Sequence, residues 1–205
     1  MTVIVIANPK GGCGKSTLAA NLAGLLARRG HAVMLGDVDK QQSTRSWLAL
    51  RPEGMPRIDS WDVREDQILR PPKGTSHVVL DTPAGLEGKL LDAVLRSADQ
   101  VVVPIQASLF DILATHDFLE TLRAHPRAAR FQVGVVATRV RETTVASDHL
   151  HRYLSQQGLT LIAALRDTQN YVQLAAHGLT LWDVAPSRVA KDVEQWQSLL
   201  DWVER

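Results

Sequence analysis

A single cysteine, Cys13, stands among the 205 residues. One thiol cannot close an intramolecular disulfide, nor build a multi-cysteine zinc site or a cysteine-ligated cluster within one chain. A reducing cytoplasm is the compartment that fits. Long apolar runs are also missing: none approaches the ~20 residues of a membrane span. The start of the chain carries no basic n-region, leader and small-residue cleavage site, so the sequence predicts a soluble, unprocessed protein. Charge of one sign is scarce. Lys plus Arg is 23 and Asp plus Glu is 22, for a net +1, which excludes a histone-like protein but leaves room for a local basic patch. What is present is ordinary for a globular chain, 45% hydrophobic and 22% charged, and it argues against a mainly disordered one. A length of 205 residues fits one domain, residues 1–205, with a sizeable core.

Five short runs rich in valine and isoleucine punctuate the chain: Val3–Ala7, Ala32–Leu35, His77–Leu80, Gln100–Ile105 and Phe131–Ala137. Nearly continuous apolar runs of this length read as strands buried on both faces. Between them, Ser16–Arg29, Leu86–Arg96, Asp111–Ala124 and Val145–Gln157 have helical periodicity, the first followed by Gly30 as a C-cap. Alternation of this kind predicts an α/β fold, a mostly parallel twisted sheet with helices on both faces. Arg51–Gly74, with four prolines and Trp61, reads as an irregular excursion that packs somewhere through its tryptophan.

The first strand runs into Asn8-Pro9-Lys10-Gly11-Gly12-Cys13-Gly14-Lys15-Ser16-Thr17 and then a helix. Three glycines let successive N–H groups curl inward into an anion-binding nest at a helix N-terminus. Lys15 is placed to reach β- and γ-phosphates and the Ser16 hydroxyl to ligate Mg²⁺. Pro9 occupies the place of the first glycine in the strict G-x-x-x-x-G-K-[ST] pattern, and an additional lysine, Lys10, opens the loop. Cys13 fills a variable position, either as a small space-filler or as a reactive thiol. After the second strand come Asp37 and Asp39, an i, i+2 pair that shares one side of an extended chain at the strand end where open parallel sheets bind ligands. The run Val78-Val79-Leu80-Asp81-Thr82-Pro83-Ala84-Gly85 is a Walker B pattern, a hydrophobic strand ending in an aspartate, in which Asp81 would bind Mg²⁺ through water.

Together these motifs resemble the ParA/MinD family of deviant Walker A ATPases. They are most similar to its short ParA-type partition or positioning members, which lack an N-terminal DNA-reading domain. The resemblance implies ATP and Mg²⁺ as ligands. Gly11, Gly12, Cys13, Gly14, Lys15, Ser16 and Thr17 would form the phosphate cradle, and Ser16, Asp37 and Asp81 the Mg²⁺ shell. Asp39 would orient the attacking water, and Lys10 would reach across a nucleotide-sandwich homodimer to the partner's phosphates. The family's D-x-D-P-Q motif is matched by Asp37, Asp39 and Gln41, with Lys40 in place of proline.

In the second half, the resemblance puts Thr138 and Arg139 beside adenine, with Pro186 closing the base pocket. Leu165 stands where many members have proline. Basic residues gather locally: Arg123 to Arg152 holds six arginines against two acids, Glu142 and Asp148. This is either a face for DNA phosphates or a solvated surface. Arg139, Arg141, Arg166, Arg188 and Lys191 are the candidate DNA contacts, Arg166 and Arg188 by family position. The stretch Asp192–Arg205 places Val193, Trp196, Leu199, Leu200 and Val203 at helical spacing. From Lys191 to Arg205 its charges are two basic against four acidic, which suits core packing rather than anionic lipid. The implied activity is that of a cytoplasmic, nucleoid-associated ATPase. It dimerises with ATP, holds non-specific DNA, is stimulated by a ParB-like or cargo-adaptor protein, and positions DNA or another cargo without a membrane. A MinD-like membrane cycle and an ATP-dependent metabolic ligase are the alternatives. An electron carrier of the nitrogenase-reductase kind is excluded, because it needs two cluster cysteines per chain.

Overall fold

The computed structural model describes residues 1–61, 71–106, 108–141, 145–156 and 158–205. Among them, seven strands form one parallel sheet: β1 (Thr2–Ile6), β2 (Val33–Asp37), β3 (Ile58–Trp61), β4 (His77–Asp81), β5 (Gln100–Gln106), β6 (Gln132–Val140) and β7 (Leu161–Arg166), in the order β3-β2-β4-β1-β5-β6-β7. Alternation along each central strand feeds two cores. Ile4 and Ile6 of β1, with Val79, Val102 and Val136, face α1 (Lys15–Arg28), α2 (Ser43–Ala49), α6 (Gln169–Ala175), α7 (Pro186–Glu194) and α8 (Gln197–Val203). Val3 and Val5, with Val78, Leu80, Val101, Val103 and Val135, face α3 (Gly88–Ser97), α4 (Leu109–Ala124) and α5 (Val145–Gln156). A strand covered on both faces needs apolar residues at consecutive positions, and each such side chain fully buried contributes about 1.5–3 kcal/mol.

The predicted strands and helices are present with ends shifted by at most three residues. Gly30 adopts φ +86° and accompanies a Schellman-type end to α1: its N–H donates to the Ala27 carbonyl, and the His31 N–H to Leu26. Gln157, the predicted end of the fourth helix, and residues 62–70 of the proline-rich stretch lie outside the described residues. Two expectations are corrected. Arg51–Gly74 is not wholly irregular, since Ile58–Trp61 pairs in parallel with Val33–Gly36 as an edge strand and buries Trp61 against the second core. The C-terminal stretch is not one helix: α7 begins at Pro186, and the helix tightens at Gln195 and Trp196, whose N–H groups reach back three residues to Asp192 and Val193. That turn lets the Gln195 side chain accept from the Arg166 N–H at 2.9 Å. It also seats the buried Trp196, whose indole donates to the Tyr171 hydroxyl at 2.9 Å. Trp196, Leu199, Leu200 and Val203 are buried in the first core, the packing the charge pattern pointed to.

Candidate functional site

The parallel sheet brings the C-terminal ends of β1, β2 and β4 side by side, and with them the three motifs read from the sequence. Asp37 and Asp81 are register partners on β2 and β4, and Ile6 of β1 pairs with Asp81. The loop after β1 is fixed from several directions. The buried Asn8 amide donates to the Pro104 carbonyl at 2.8 Å and the Thr115 hydroxyl at 3.1 Å, and its Oδ1 accepts the Lys10 N–H at 2.9 Å. The Gly85 N–H donates to the Pro9 carbonyl at 2.7 Å, and the Thr82 hydroxyl to the Ile6 carbonyl at 2.8 Å. Gly12 and Gly14 turn at φ +77° and +91°, a left-handed region where a Cβ is strained, and α1 starts directly after them.

The two loop lysines behave differently. Lys15 is buried, and its ammonium donates to the Lys10 carbonyl at 2.8 Å, inside its own loop. The Lys10 ammonium instead leaves the loop and pairs with Asp111 in the first turn of α4, a carboxylate also held by Ser108, the N-cap of that helix. Cys13 is buried with its thiol directed to the Lys10 carbonyl at 3.3 Å. Burial raises its pKa above the ordinary thiol value against the pull of Lys15, and the enclosed thiol fills space in the loop.

The carboxylates also divide by environment. Asp81 is almost completely buried, and burial pushes its pKa up to about 7, reinforced by Asp37 and opposed by the Ser16 hydroxyl, Lys15 and the Thr82 N–H. A buried carboxylate beside a serine hydroxyl and an anion-binding nest suits a hard, oxygen-seeking cation, and Ser16 and Asp81 are the residues that could hold Mg²⁺ with a bound polyphosphate. Asp37 is occupied within the chain: one oxygen accepts the Thr44 N–H at 2.9 Å, the Thr44 hydroxyl at 2.8 Å and the Arg45 N–H at 3.4 Å, and the other the Asp39 N–H at 2.9 Å. It anchors the start of α2, and any part it takes in a cation shell is exerted from there. Asp39 is partly exposed in a tight turn, accepting the Gln41 N–H at 3.0 Å.

Beside the loop lies an open cleft of about 620 Å³ lined by Gly14, Thr17, Gln106, Thr138, Arg139 and Tyr171 among others, with Leu165 to Gln169 forming one wall. Arg139 sits in the left-handed region at φ +51°, at the irregular end of the β6–β7 pairing; a non-glycine residue held there is strained. Pro186 opens α7 and is exposed; it is not among the residues that line this cleft.

The basic candidates separate. Arg127 and Arg130 precede β6, whereas Arg139 and Arg141 stand at its far end, about 30 Å away at ~3.3 Å per strand residue. The arginine-rich run is therefore not one face, and Glu142 lies outside the described residues. Arg139, Arg141 and Arg166 line the cleft. Arg141 is largely exposed, 3.6 Å from Asp167, while Arg166 pairs with the buried Asp192 of α7, which Asn170 also holds at 2.6 Å. Arg188 and Lys191 are exposed on α7, Arg188 donating to Gln173 at 3.2 Å. Sequence reasoning missed Asn8, Gln106, Asp111 and Tyr171. Asn8 and Gln106, polar residues that close apolar strands, had a local signal in the sequence.

A parallel sheet whose first strand feeds a glycine-lysine nest onto a helix N-terminus, with an aspartate closing a neighbouring strand, defines a P-loop nucleotide-binding domain. The sequence profile of the CobQ/CobB/MinD/ParA nucleotide binding domain matches residues 4–181, and the chain belongs to that family as a ParA/MinD-type ATPase. It is 32% identical over 184 residues to the maintenance of carboxysome distribution protein A of Gloeobacter kilaueensis, covering 87% of this chain and 83% of that one. It is 33% identical over 152 residues to the chromosome-partitioning ATPase Soj of Thermus thermophilus, covering 58% of this chain and 60% of the relative. Among solved structures, a Cyanothece McdA–ATP complex superposes with a TM-score of 0.71 at 17% identity, covering 97% of this chain and 96% of the other.

Proposed function

We propose that this protein is a cytoplasmic, nucleoid-associated ATPase that dimerises with ATP, holds DNA without reading its sequence, and positions a cargo whose adaptor stimulates hydrolysis. The observation that carries the reading is the split between the two loop lysines: Lys15 turned into the nest, Lys10 turned out of it onto Asp111. Lys15 already faces the loop's own phosphate site, so a second lysine held at the rim on Asp111 can serve a second copy. The names of the relatives, carboxysome distribution and chromosome partitioning, describe placement of large objects rather than metabolism.

In this reading the loop N–H groups and Lys15 bind the polyphosphate of ATP, and Ser16 and Asp81 hold Mg²⁺ beside it, with Asp37 behind. Held by these residues, Mg²⁺ would supply neutralisation of phosphate charge. Asp39, on a turn tied to Asp37, orients the attacking water. Lys10 leaves Asp111 to meet the partner's phosphates, stabilising charge that develops in phosphoryl transfer as an arginine finger does. Thr138 and Arg139 stand at the base cleft. Arg139, Arg141, Arg166, Arg188 and Lys191 carry the DNA surface, which a dimer presents twice. Among the described residues no helix is long and apolar enough to cross a membrane, and burial of the apolar residues of α8 leaves no free amphipathic face there for lipid.

The test is binding to a random-sequence duplex at two salt concentrations, without nucleotide, with ADP, and with ATP plus Mg²⁺, beside anionic liposomes. Salt-sensitive DNA binding confined to the ATP state is expected, weakened by Arg188→Glu with ATP affinity unchanged. Liposome binding in its place would overturn the DNA reading.

A further inference from the structure

Two side chains outside the phosphate loop hold the loop's own carbonyls. Gln106 Nε2 donates to the Gly12 carbonyl at 2.9 Å, and the Thr138 hydroxyl to the Cys13 carbonyl at 2.9 Å. They come from adjacent strands and are register partners, Gln106 closing β5 and Thr138 near the end of β6. Side chains at paired positions of parallel strands point to the same side, so the pair grips two consecutive peptides of one loop. In a trans peptide the carbonyl and the following N–H point in opposite directions. Drawing the Gly12 and Cys13 carbonyls toward β5 and β6 therefore turns the Cys13 and Gly14 N–H groups the other way, toward the anion nest. The Thr138 methyl also stands 3.8 Å from where a Gly14 Cβ would lie.

Resting on the phosphate-loop reading above, we infer that Gln106 and Thr138 are positioning residues for phosphate binding: they pre-orient the Cys13 and Gly14 amides and do not select the base. The single proton of the Thr138 hydroxyl is spent on Cys13, with the Ile105 carbonyl at a longer 3.4 Å, which leaves it no proton to donate to a purine acceptor. The Gln106 carboxamide spends one N–H on the loop and keeps the other, so the ATP-to-GTP ratio is the reading that tests it against a base contact. Because the amides they orient meet phosphate and not base, these residues act alike on every ligand that carries the same polyphosphate.

The experiment measures binding of inorganic tripolyphosphate, ATP and GTP, each with Mg²⁺, to the wild-type chain and to Thr138→Val, Thr138→Ser, Gln106→Met and Lys15→Ala, with melting curves to establish that each variant is folded. Thr138→Val and Gln106→Met should weaken all three ligands by a similar factor, roughly 2- to 10-fold, the range of one neutral hydrogen bond. The ATP-to-GTP ratio should stay constant, and Thr138→Ser, which keeps the hydroxyl, should bind as wild type does. A changed ATP-to-GTP ratio with unchanged tripolyphosphate affinity would make them base-reading residues and overturn the inference. So would a Thr138→Ser defect as large as that of Thr138→Val. Tripolyphosphate binding lost in Lys15→Ala but intact in Thr138→Val and Gln106→Met refutes this inference alone, whereas binding intact in Lys15→Ala refutes the phosphate-loop reading beneath it.

Discussion

Replacing Asp81 by asparagine should make the nucleotide-free protein more stable, not less. Asp81 is held where a charge is unwelcome: burial and the neighbouring Asp37 push its pKa up to about 7, from 3.8 for the free group. The folded chain therefore binds this proton more tightly than the unfolded chain does. Stability from this group is complete below about pH 4 and is lost as pH rises toward about 7, above which the loss is constant. At 1.36 kcal/mol per pH unit the gap amounts to about 4 kcal/mol at pH 8, an upper figure because the site can relax or admit water. Asparagine removes the charge while its Oδ1 still accepts the Thr82 N–H, as Asp81 does at 3.0 Å; the Ser16 hydroxyl need only rotate from donor to acceptor. We expect a gain of roughly 2–4 kcal/mol at pH 8, about 4–16 °C in Tm for a chain of this size. The gain should shrink to nothing near pH 4. Thermal unfolding in EDTA without nucleotide, at pH 8, 6 and 4.5, measures it. With Mg²⁺ and ATP the advantage should narrow or invert, because ligand stabilises in proportion to affinity and the variant has lost the cation's carboxylate. A variant less stable than wild type at pH 8 without ligand, or a gain independent of pH, would refute the account of Asp81 as a charge held at a cost for a cation.

Three other substitutions probe separate parts of the molecule. Lys10→Ala should keep ATP binding but lose ATP-dependent dimerisation, read by light scattering; a wild-type dimer would remove its proposed role across the interface. Asp39→Ala should bind ATP and dimerise while phosphate release falls by ten-fold or more, about 1.4 kcal/mol of barrier, and ordinary turnover would mean that another group places the water. Arg51→Met tests a structural pair: the guanidinium is buried and bidentate on Asp183, at 2.9 and 3.0 Å, and also donates to the Pro56 and Gly178 carbonyls. Burial alone would raise the Asp183 pKa, but hydrogen bonds from Arg51 and Thr180 hold it below the usual value. Leaving that carboxylate unpaired should cost about 3–5 kcal/mol in urea unfolding, whereas a cost under 1 kcal/mol would show that water replaces the arginine freely.

The fold was legible where its cause is local. Strands β1, β2, β4, β5 and β6 announce themselves because burial on both faces demands consecutive apolar residues, and α1 because a glycine closes it. The edge strand β3 was not legible. Ile-Asp-Ser-Trp is four residues long, set among prolines, and its extended form is decided by β2, which pairs with it from Val33 to Gly36. The C-terminal stretch had a helical period, but its tightened turn answers to Gln195 and Trp196 meeting Arg166 and Tyr171, partners more than twenty residues away.

The same division runs through the site. The loop lysines, Ser16 and the three aspartates could be picked out as candidates because phosphate and cation chemistry restrict residue type and spacing within single strand-to-helix turns, and the sheet brings their strand ends together. What holds them is not local: Asn8 is fixed by Pro104 and Thr115, Lys10 by Asp111, and the Gly12 and Cys13 carbonyls by Gln106 and Thr138. These partners lie about a hundred residues from the loop, and only the order of strands in the sheet makes them neighbours. Charge shows the opposite error. Six arginines close in sequence suggest one basic face, yet the length of β6 separates Arg130 before it from Arg139 near its end, while Arg139, Arg141 just past β6, and Arg166 at the end of β7 meet at one cleft. A run of like charges in an α/β chain therefore has to be divided at each strand before it is read as a surface. Only the residues beyond the C-terminal ends of the strands stand where a bound nucleotide can govern what they touch.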